Sequence, residues 1–191
     1  MKRKRPGRVE YYIDIAQSVA QRSSCIRAMV GAIIVKRDII LATGYAGAAR
    51  GEEDCLERGR CAREEQGIPS GQRYELCHSV HAEMNACLQA DYSAMEGADM
   101  YLYFWKPPKA HREVWSLDMV VGSVPCKMCR RVLKNCRIGA LIAETSFPVA
   151  TEGGGSQREA HLVGYNPRTE EYTLLTEADI EAFENSRKGS Q

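Results

Sequence analysis

The chain has 191 residues, a net charge of +1 and a hydrophobic fraction of 44%, a composition typical of a folded protein with room for one core. Its 26 basic and 25 acidic residues nearly cancel, which excludes a general electrostatic attraction to nucleic acid. No apolar run reaches the length of a membrane span and the start lacks a secretory signal pattern, so we expect a cytoplasmic protein without membrane association.

Hydrophobic periodicity predicts helices and strands in alternation along most of the chain. Residues 1–8 are basic and unpatterned and should form a flexible tail, whereas residues 9–191 should form a single domain. The order of elements favours an α/β fold with three layers, in which helices flank a mixed sheet. Helices are predicted over residues 9–22, 81–89, 125–135 and 177–183, and strands over 30–35, 39–44, 100–104, 138–143, 162–165 and 172–175.

Two segments have no sustained period. Residues 46–80, the cysteine-rich segment, are long and charged, and a loop of this size inside a compact domain needs something to hold it. Residues 153–156 read Gly-Gly-Gly-Ser and predict a flexible break. The chain contains 8 cysteines, and in a cytoplasmic protein these indicate reduced or metal-bound thiols rather than disulfides.

Two short motifs carry the chemistry. His81 and Glu83 form an H-x-E pair, and Pro125, Cys126 and Cys129 form a P-C-x-x-C motif downstream. Together they match the signature of zinc deaminases that act on cytosine or adenine rings, where one His and two Cys bind zinc and the Glu does not. Three protein ligands leave the fourth zinc position open for water. The sequence therefore predicts a catalytic zinc bound by His81, Cys126 and Cys129.

Glu83 is the predicted catalytic residue. Its spacing from His81 places the two side chains on different faces of a helix, so the carboxylate can approach the bound water rather than the metal. Cys126 and Cys129 share one helical face, and Pro125 suits the first turn. The expected reaction is hydrolytic deamination, in which Glu83 carries the proton from water to the ring and to the departing ammonia.

Beyond the motifs, residues 9–145 resemble the deoxycytidylate deaminase family, including its ComE-like bacterial members, within the cytidine deaminase fold. The resemblance implies a cytidine-deaminase-like three-layer fold and conversion of deoxycytidylate (dCMP) to deoxyuridylate (dUMP). It also implies a small-molecule nucleotide as the partner, and a homo-oligomer. The stretches that carry it are residues 24–25, 30–35, 43–47, 75–86 and 125–129.

The chain departs from the family pattern at three places. Ala46 stands where the family commonly has an Asn that looks like a nucleotide contact, so one polar contact is missing. Residues 105–121 form an inserted segment between the third strand and the P-C-x-x-C motif, near the expected pocket mouth. The glycine-rich region at 153–156 does not match the usual continuation of the family.

Four further cysteines suggest a second zinc. Cys55, Cys61 and Cys77 bracket the cysteine-rich segment and Cys25 follows the first helix, and some deoxycytidylate deaminases are similar in having an extra zinc here. Four thiolates would fix the segment through metal–ligand bonds, with His78 as a substitute ligand. Reduced, unligated thiols are the alternative. Two other cysteines are expected to be small core residues, namely Cys87 and Cys136.

Substrate contacts are less sharply indicated. Asn85 is a candidate pocket residue, although it could equally satisfy backbone groups, and Tyr45 could stack on a base. A monophosphate requires a cation or a helix N-terminus. The candidate cations are Arg27, Arg50, Lys106 and Lys109.

Two other functions remain open at this point. A deaminase of bases in RNA or single-stranded DNA would need a basic groove with stacking aromatics, but the one evident basic cluster is residues 2–8, which disfavours nucleic acid. A non-catalytic, zinc-stabilised binding protein is the other alternative. Glu83 argues against it, since a structural zinc has no use for a general base.

Overall fold

The structure is a computed structural model, and it describes residues 4–69, 72–106, 124–150 and 156–188. Its main sheet has six strands in the order β2-β1-β5-β6-β7-β8, and β3 and β4 form a separate two-stranded pair. Strands β5 and β6 are parallel, while the other neighbours in the main sheet are antiparallel, so the sheet is mixed as predicted. The strands are β1 Met29–Lys36, β2 Ile39–Tyr45, β3 Gly47–Ala48, β4 Ser79–Val80, β5 Asp99–Trp105, β6 Ala140–Ala150, β7 Ser156–Asn166 and β8 Glu171–Leu174.

Helices cover both faces of this sheet. Side chains of β1 alternate between the two faces, because successive residues of a strand point in opposite directions. Ile33 therefore packs in a hydrophobic cluster with α1, and Ile34 packs in a second cluster with α4 and α6. The three-layer prediction is confirmed. The helices are α1 Arg8–Ala20, α2 Cys55–Arg58, α3 Ala62–Glu65, α4 Ala82–Gln89, α5 Tyr92–Met95, α6 Lys127–Asn135 and α7 Glu177–Lys188, with a 3-10 turn at Tyr74–Leu76.

None of the helices in the described ranges is long and apolar enough to cross a membrane.

Two glycines allow the helices to approach the sheet closely. A Cβ at Gly31 of β1 would lie 2.2 Å from the backbone oxygen of Ala16 in α1. A Cβ at Gly44 of β2 would lie 2.3 Å from the backbone nitrogen of Ala86 in α4. Such distances are far below van der Waals contact. The absence of a side chain at Gly44 therefore determines how near α4 lies to the sheet.

The first helix starts one residue earlier than the sequence predicts. Arg8 is assigned to the tail by its composition, but in the structure it is the first residue of α1. Its guanidinium pairs with the carboxylate of Asp38 in the β1–β2 turn, which attaches this position to the domain.

The cysteine-rich segment contains more regular structure than its sequence suggests. It holds β3, β4, α2, α3 and the 3-10 turn. Asp54 explains α2, because its Oδ1 accepts hydrogen bonds from the backbone N–H groups of Leu56 and Glu57. Gly59 then ends the helix with a left-handed φ of 64°. A helix of four residues is too short to show a hydrophobic period, so the sequence pattern does not reveal α2.

The C-terminal strands are longer than predicted. β6 and β7 pair antiparallel from Leu141 opposite Tyr165 to Ala150 opposite Ser156, because each strand supplies hydrogen-bond partners to the other whatever its hydrophobic pattern. The terminal β7–β8 hairpin is confirmed, and α7 extends beyond residue 183 to Lys188. Two predictions fall mainly outside the described residues, the insertion at 105–121 and the flexible break at 153–156.

Candidate metal centre

The structure brings together the three predicted zinc ligands. The Nδ1 atom of His81 lies 3.3 Å from Sγ of Cys126 and 3.4 Å from Sγ of Cys129. Over the described ranges, this is the one group of three or more potential His, Cys, Asp or Glu ligands whose ligand atoms all lie within 4.8 Å of one another. Residues from two distant parts of the chain thus converge on one point.

The ends of two helices position these residues. His81 is the N-cap of α4 and Cys126 is the N-cap of α6, and the two helices pack against each other. Cys129 lies in the first turn of α6 and is fully buried. The positive N-terminal ends of both helices face the site, which stabilises thiolate and carboxylate charge there.

The exact start of α6 differs from the prediction. Pro125 precedes the N-cap instead of lying in the first turn, because Cys126 has an extended backbone with φ −67° and ψ 163°. The helix therefore begins at Lys127, and Cys126 lies just outside it while Cys129 lies within it.

The three side chains fit a zinc ion. Tetrahedral zinc with Zn–S bonds of about 2.3 Å and Zn–N bonds of about 2.0–2.1 Å places the sulfur and nitrogen ligands roughly 3.6 Å apart. The distances of 3.3 and 3.4 Å from Nδ1 of His81 to the two sulfurs are close to this value. Two thiols and one imidazole are also a donor set that zinc prefers.

The ligand side chains of the site interact strongly with one another. Burial opposes charge on His81, but hydrogen bonds to the thiols of Cys126 and Cys77 raise its pKa to about 11. The hydrogen bond from the Cys129 thiol lowers the pKa of Cys126 to about 4. Metal binding requires a neutral imidazole and deprotonated thiols, so a bound metal ion would displace the proton of His81.

Glu83 lies next to the ligands without being one of them. Its side chain is buried, and this burial raises the pKa of its carboxyl group. The carboxyl group interacts with the thiol of Cys129 and with the charge of His81. It also lines the same cavity as His81 and Cys126. A buried carboxyl group with a raised pKa beside a metal site is suited to act as a general acid and base.

One cavity contains the site together with residues from several other elements. Arg27, Ala46, Phe104, Lys106 and Val124 are among the side chains that line it. Ala46 is therefore a wall residue, as its place in the motif suggests, but it offers no polar atom. Phe104 lies in β5, which pairs with β6, and Val124 lies just before α6. No single sequence motif indicates that these two residues form part of the wall.

Two predicted substrate contacts do not lie among the described lining residues. The Asn85 side chain points to the end of β2, where its Nδ2 donates a hydrogen bond to the backbone oxygen of Tyr45 at 2.8 Å. This contact corresponds to the second alternative in the sequence analysis, in which Asn85 satisfies a backbone group. Of the candidate cations, Arg50 lies outside the lining and Lys109 lies outside the described residues.

Arg27 lines the cavity and carries a buried donor without a hydrogen-bond partner among the described residues. Its Nε lies 3.7 Å from a carboxylate oxygen of Glu64. Its Nη1 atom is buried and has no hydrogen-bond partner among the described residues. A buried, unsatisfied guanidinium N–H is costly in a folded protein, and an anionic ligand that reached this atom would remove that cost.

A stack of side chains that sequence reasoning missed supports His81. The guanidinium of Arg63 lies 4.3 Å from the ring centroid of Tyr74. The Tyr74 ring meets the His81 ring at 4.9 Å with an interplanar angle of 87°. Arg63 is itself buried and donates to the backbone oxygens of Pro69 and Gln72. The cysteine-rich segment thus contacts a predicted zinc ligand directly.

The other four predicted metal ligands lie in the same cavity. Cys25, Cys55, Cys61 and Cys77 all line it, and their thiols are near enough for the charges to interact. They do not meet the 4.8 Å criterion that the first group meets among the described residues. Two further cysteines pack in the α4–α6 hydrophobic cluster, which confirms their prediction as core residues: Cys87 and Cys136.

Comparison with known families gives a match over most of the chain. The family described as "Cytidine and deoxycytidylate deaminase zinc-binding region" matches residues 7–145. This range contains every residue of the metal centre described above. It ends before the β7–β8 hairpin and α7.

Individual relatives include deoxycytidylate deaminases. The enzyme of Mycobacterium phage D29 is 40% identical over 103 residues, covering 51% of this chain and 78% of the phage protein. That of Schizosaccharomyces pombe is 38% identical over 86 residues, covering 45% of this chain but 26% of the yeast protein. Among solved structures, the apo dCMP deaminase of cyanophage S-TIM5 aligns over 74% of this chain and 86% of its own, with a TM-score of 0.47 and 20% identity.

Proposed function

Because this chain belongs to the cytidine and deoxycytidylate deaminase family, we propose that it is a zinc-dependent hydrolase that converts dCMP and water to dUMP and ammonia. The observation that carries the proposal is the convergence of His81, Cys126 and Cys129 within 4.8 Å beside the buried carboxyl group of Glu83 in one cavity. A purely structural zinc site would not need that carboxyl group.

Each residue of the centre has one role in this proposal. The zinc would be held by His81, Cys126 and Cys129. When bound, it lowers the pKa of a bound water molecule to about 7. Glu83 would accept one proton of that water and pass it to the ring nitrogen, and would then carry the second proton of the same water to the departing amino nitrogen. A C–O bond forms at the ring carbon and the C–N bond to the amino group breaks, so the products are dUMP and ammonia.

The free donor of Arg27 supports a phosphorylated substrate. Its buried Nη1 has no hydrogen-bond partner in the described part of the chain, and its side chain lines the cavity that contains Glu83. A guanidinium binds phosphate oxygens through charge-assisted hydrogen bonds. We infer that Arg27 contacts the phosphate of the nucleotide, which favours a nucleotide over a free nucleoside.

We also propose a second, structural zinc bound by Cys25, Cys55, Cys61 and Cys77. Their placement around one cavity and the interaction between the charges of their thiols support this site. A stoichiometry of two zinc ions per chain, falling to one in Cys61→Ser, would support it. One zinc in both proteins would show that these thiols are unligated.

Cellular context and assembly are also proposals. We propose a cytoplasmic protein, since none of the eight cysteines, which all lie in the described part of the chain, forms a disulfide. We propose a homo-oligomer because apolar side chains on α4, α5 and β2 are exposed, with Leu88 at 77%, Tyr92 at 63% and Ile39 at 62%. Light scattering at several protein concentrations tests the assembly.

The decisive measurement is ammonia release from a substrate panel. The panel comprises dCMP, deoxycytidine, dCTP, adenine nucleotides and short oligonucleotides, each with the wild-type protein and Glu83→Gln. We expect release from dCMP and a loss of about 10²–10⁴-fold in kcat for Glu83→Gln, with zinc content unchanged. Glu144→Gln is the matched control, because Glu144 is also partly buried with a raised pKa but lies on the opposite face of the sheet.

Other outcomes would redirect the assignment. Release from oligonucleotides alone would indicate a nucleic acid deaminase. Release from no substrate by a protein that contains zinc would indicate a binding role, and equal activity of Glu83→Gln and wild type would remove Glu83 from the mechanism.

A further inference from the structure

The C-terminal hairpin reaches back to the metal centre. Tyr165 on β7 and Tyr172 on β8 stack with their ring centroids 4.7 Å apart. The guanidinium of Arg130 in α6 lies 4.9 Å from the ring centroid of Tyr172, which is within the range of a cation–π interaction. The hairpin lies outside the matched family region of residues 7–145. These contacts therefore join residues inside the matched range to a hairpin outside it.

Two donors from this contact converge on a single carbonyl. The Nε atom of Arg130 donates to the backbone oxygen of Pro125 at 3.0 Å. The hydroxyl of Tyr172 donates more weakly to the same oxygen at 3.5 Å. This oxygen belongs to the peptide that joins Pro125 to Cys126, so the two donors fix the peptide plane directly before a zinc ligand.

The orientation of that peptide plane matters for the metal site. Cys126 is an N-cap with extended backbone, so helical hydrogen bonds do not fix the peptide that precedes it. Rotation of this plane would turn the Cα of Cys126 and move its sulfur relative to His81. The bond from Arg130 opposes that rotation, and the Tyr172 ring keeps the Arg130 guanidinium in place.

We propose that Arg130, held against Tyr172, is a positioning residue for Cys126. The proposal rests on the proposed function in assigning Cys126 to the zinc. In this proposal the C-terminal hairpin, which lies outside the matched residues 7–145, stabilises the peptide that precedes Cys126. Partners that orient metal ligands typically change metal affinity or activity by about 10–100-fold when they are removed.

The test measures zinc release from the purified full-length protein with a chromogenic chelator, without any substrate. The release phase that is absent in Cys126→Ser identifies this site and separates it from any other bound zinc. We expect Arg130→Met to release that zinc about 10-fold faster or more, and Tyr172→Phe to show a smaller change in the same direction. Arg130→Lys keeps the charge near the ring but lacks Nε, so its release rate should lie between wild type and Arg130→Met.

The matched control is Arg131→Met, because Arg131 is the neighbouring residue of α6 and is exposed. It should release zinc at the wild-type rate. Steady-state kinetics of Arg130→Met should show a lower kcat with KM for dCMP nearly unchanged. If Arg130→Met lowers Tm but leaves zinc release at the wild-type rate, the contact supports only the fold and the proposal is wrong. Because zinc release needs no turnover, the result stands even if dCMP is not the substrate.

Discussion

At the scale of single residues, charge and hydrogen bonding decide what the cavity can bind. Most of its described wall is apolar, with Ala46, Val124 and Phe104 among the lining side chains. Against this wall, the guanidinium of Arg27 is a candidate partner for an anion, since its Nη1 makes no hydrogen bond to any described residue. The side chain of Ala46 cannot form a hydrogen bond. Binding of the nucleotide should therefore depend more on charged contacts than it would with an Asn at this position.

Removing the charge of Arg27 should weaken binding of the phosphate. We expect Arg27→Met to raise KM for dCMP by about 10–100-fold, which is the loss of a charge-assisted hydrogen bond. Activity on deoxycytidine, which lacks the phosphate, should be unchanged. The measurement compares kcat/KM for the two substrates. Arg50→Met is the control, because Arg50 lies outside the described cavity lining, and equal losses on both substrates would contradict a phosphate contact.

The Tyr74 ring should matter to His81 through its shape rather than through its hydroxyl. The ring contacts His81 edge-on at 4.9 Å and covers the guanidinium of Arg63 at 4.3 Å. We expect Tyr74→Phe to keep kcat within about 3-fold of wild type and Tyr74→Leu to lower it about 10-fold, as for the removal of an orienting partner. Equal kcat values for Phe and Leu at this position would show that His81 is oriented without the ring.

At the scale of elements, the distance between α4 and the sheet determines where His81 and Glu83 lie. Gly44 allows this approach, since a Cβ there would lie 2.3 Å from a backbone nitrogen and 2.4 Å from a backbone oxygen of α4. Backbone atoms in the middle of a helix cannot move individually. A side chain at Gly44 would therefore move the whole helix, together with the residues at its N-terminal end.

Gly44→Ala should reduce both stability and catalysis. We expect a loss of about 1–3 kcal/mol in the free energy of unfolding, as for other overpacked sites, and a fall in kcat of about 10-fold or more, because small displacements of catalytic groups are costly. Gly31→Ala is a matched control: its Cβ would lie 2.2 Å from the backbone of α1, which carries no residue of the metal centre. It should destabilise comparably and keep kcat. Equal kcat losses in both variants would mean that general destabilisation explains the effect.

The elements also show what a sequence can reveal. The residues of the metal centre could be predicted because their chemistry requires fixed spacings, as between Cys126 and Cys129. The contact from Tyr172 to Pro125 could not, since it joins positions 47 residues apart through a hairpin of no fixed motif. Asn85 illustrates a third case, in which the residue type allowed two roles and only the position of the β2 backbone distinguished them.

At the scale of the whole molecule, the metal centre joins parts of the chain that are otherwise linked through the sheet. His81 and Cys126 are 45 residues apart in sequence, and their helices pack on the same side of the sheet. A metal ion that binds both stabilises the folded state, because the unfolded chain does not preserve this arrangement.

Removal of zinc should therefore lower Tm. If free zinc exceeds its Kd by about 100-fold, its loss costs about 2.7 kcal/mol, which corresponds to roughly 5–10 °C for a protein of this size. Differential scanning fluorimetry before and after chelation measures the change, and added zinc should restore the original Tm. An unchanged Tm in protein shown to have lost its zinc would mean that the centre does not stabilise the fold.

The separation of the ligands along the chain also has a consequence for biosynthesis. The ribosome synthesises His81 and Glu83 well before Cys126 and Cys129. Helix α6 can pack against the sheet only after β5 has formed. A nascent chain that ends before residue 129 therefore lacks the three-ligand group, whereas Cys25, Cys55, Cys61 and Cys77 have all been made by then. Metal that arrives during translation would meet those four thiols first, and the centre beside Glu83 would be filled last.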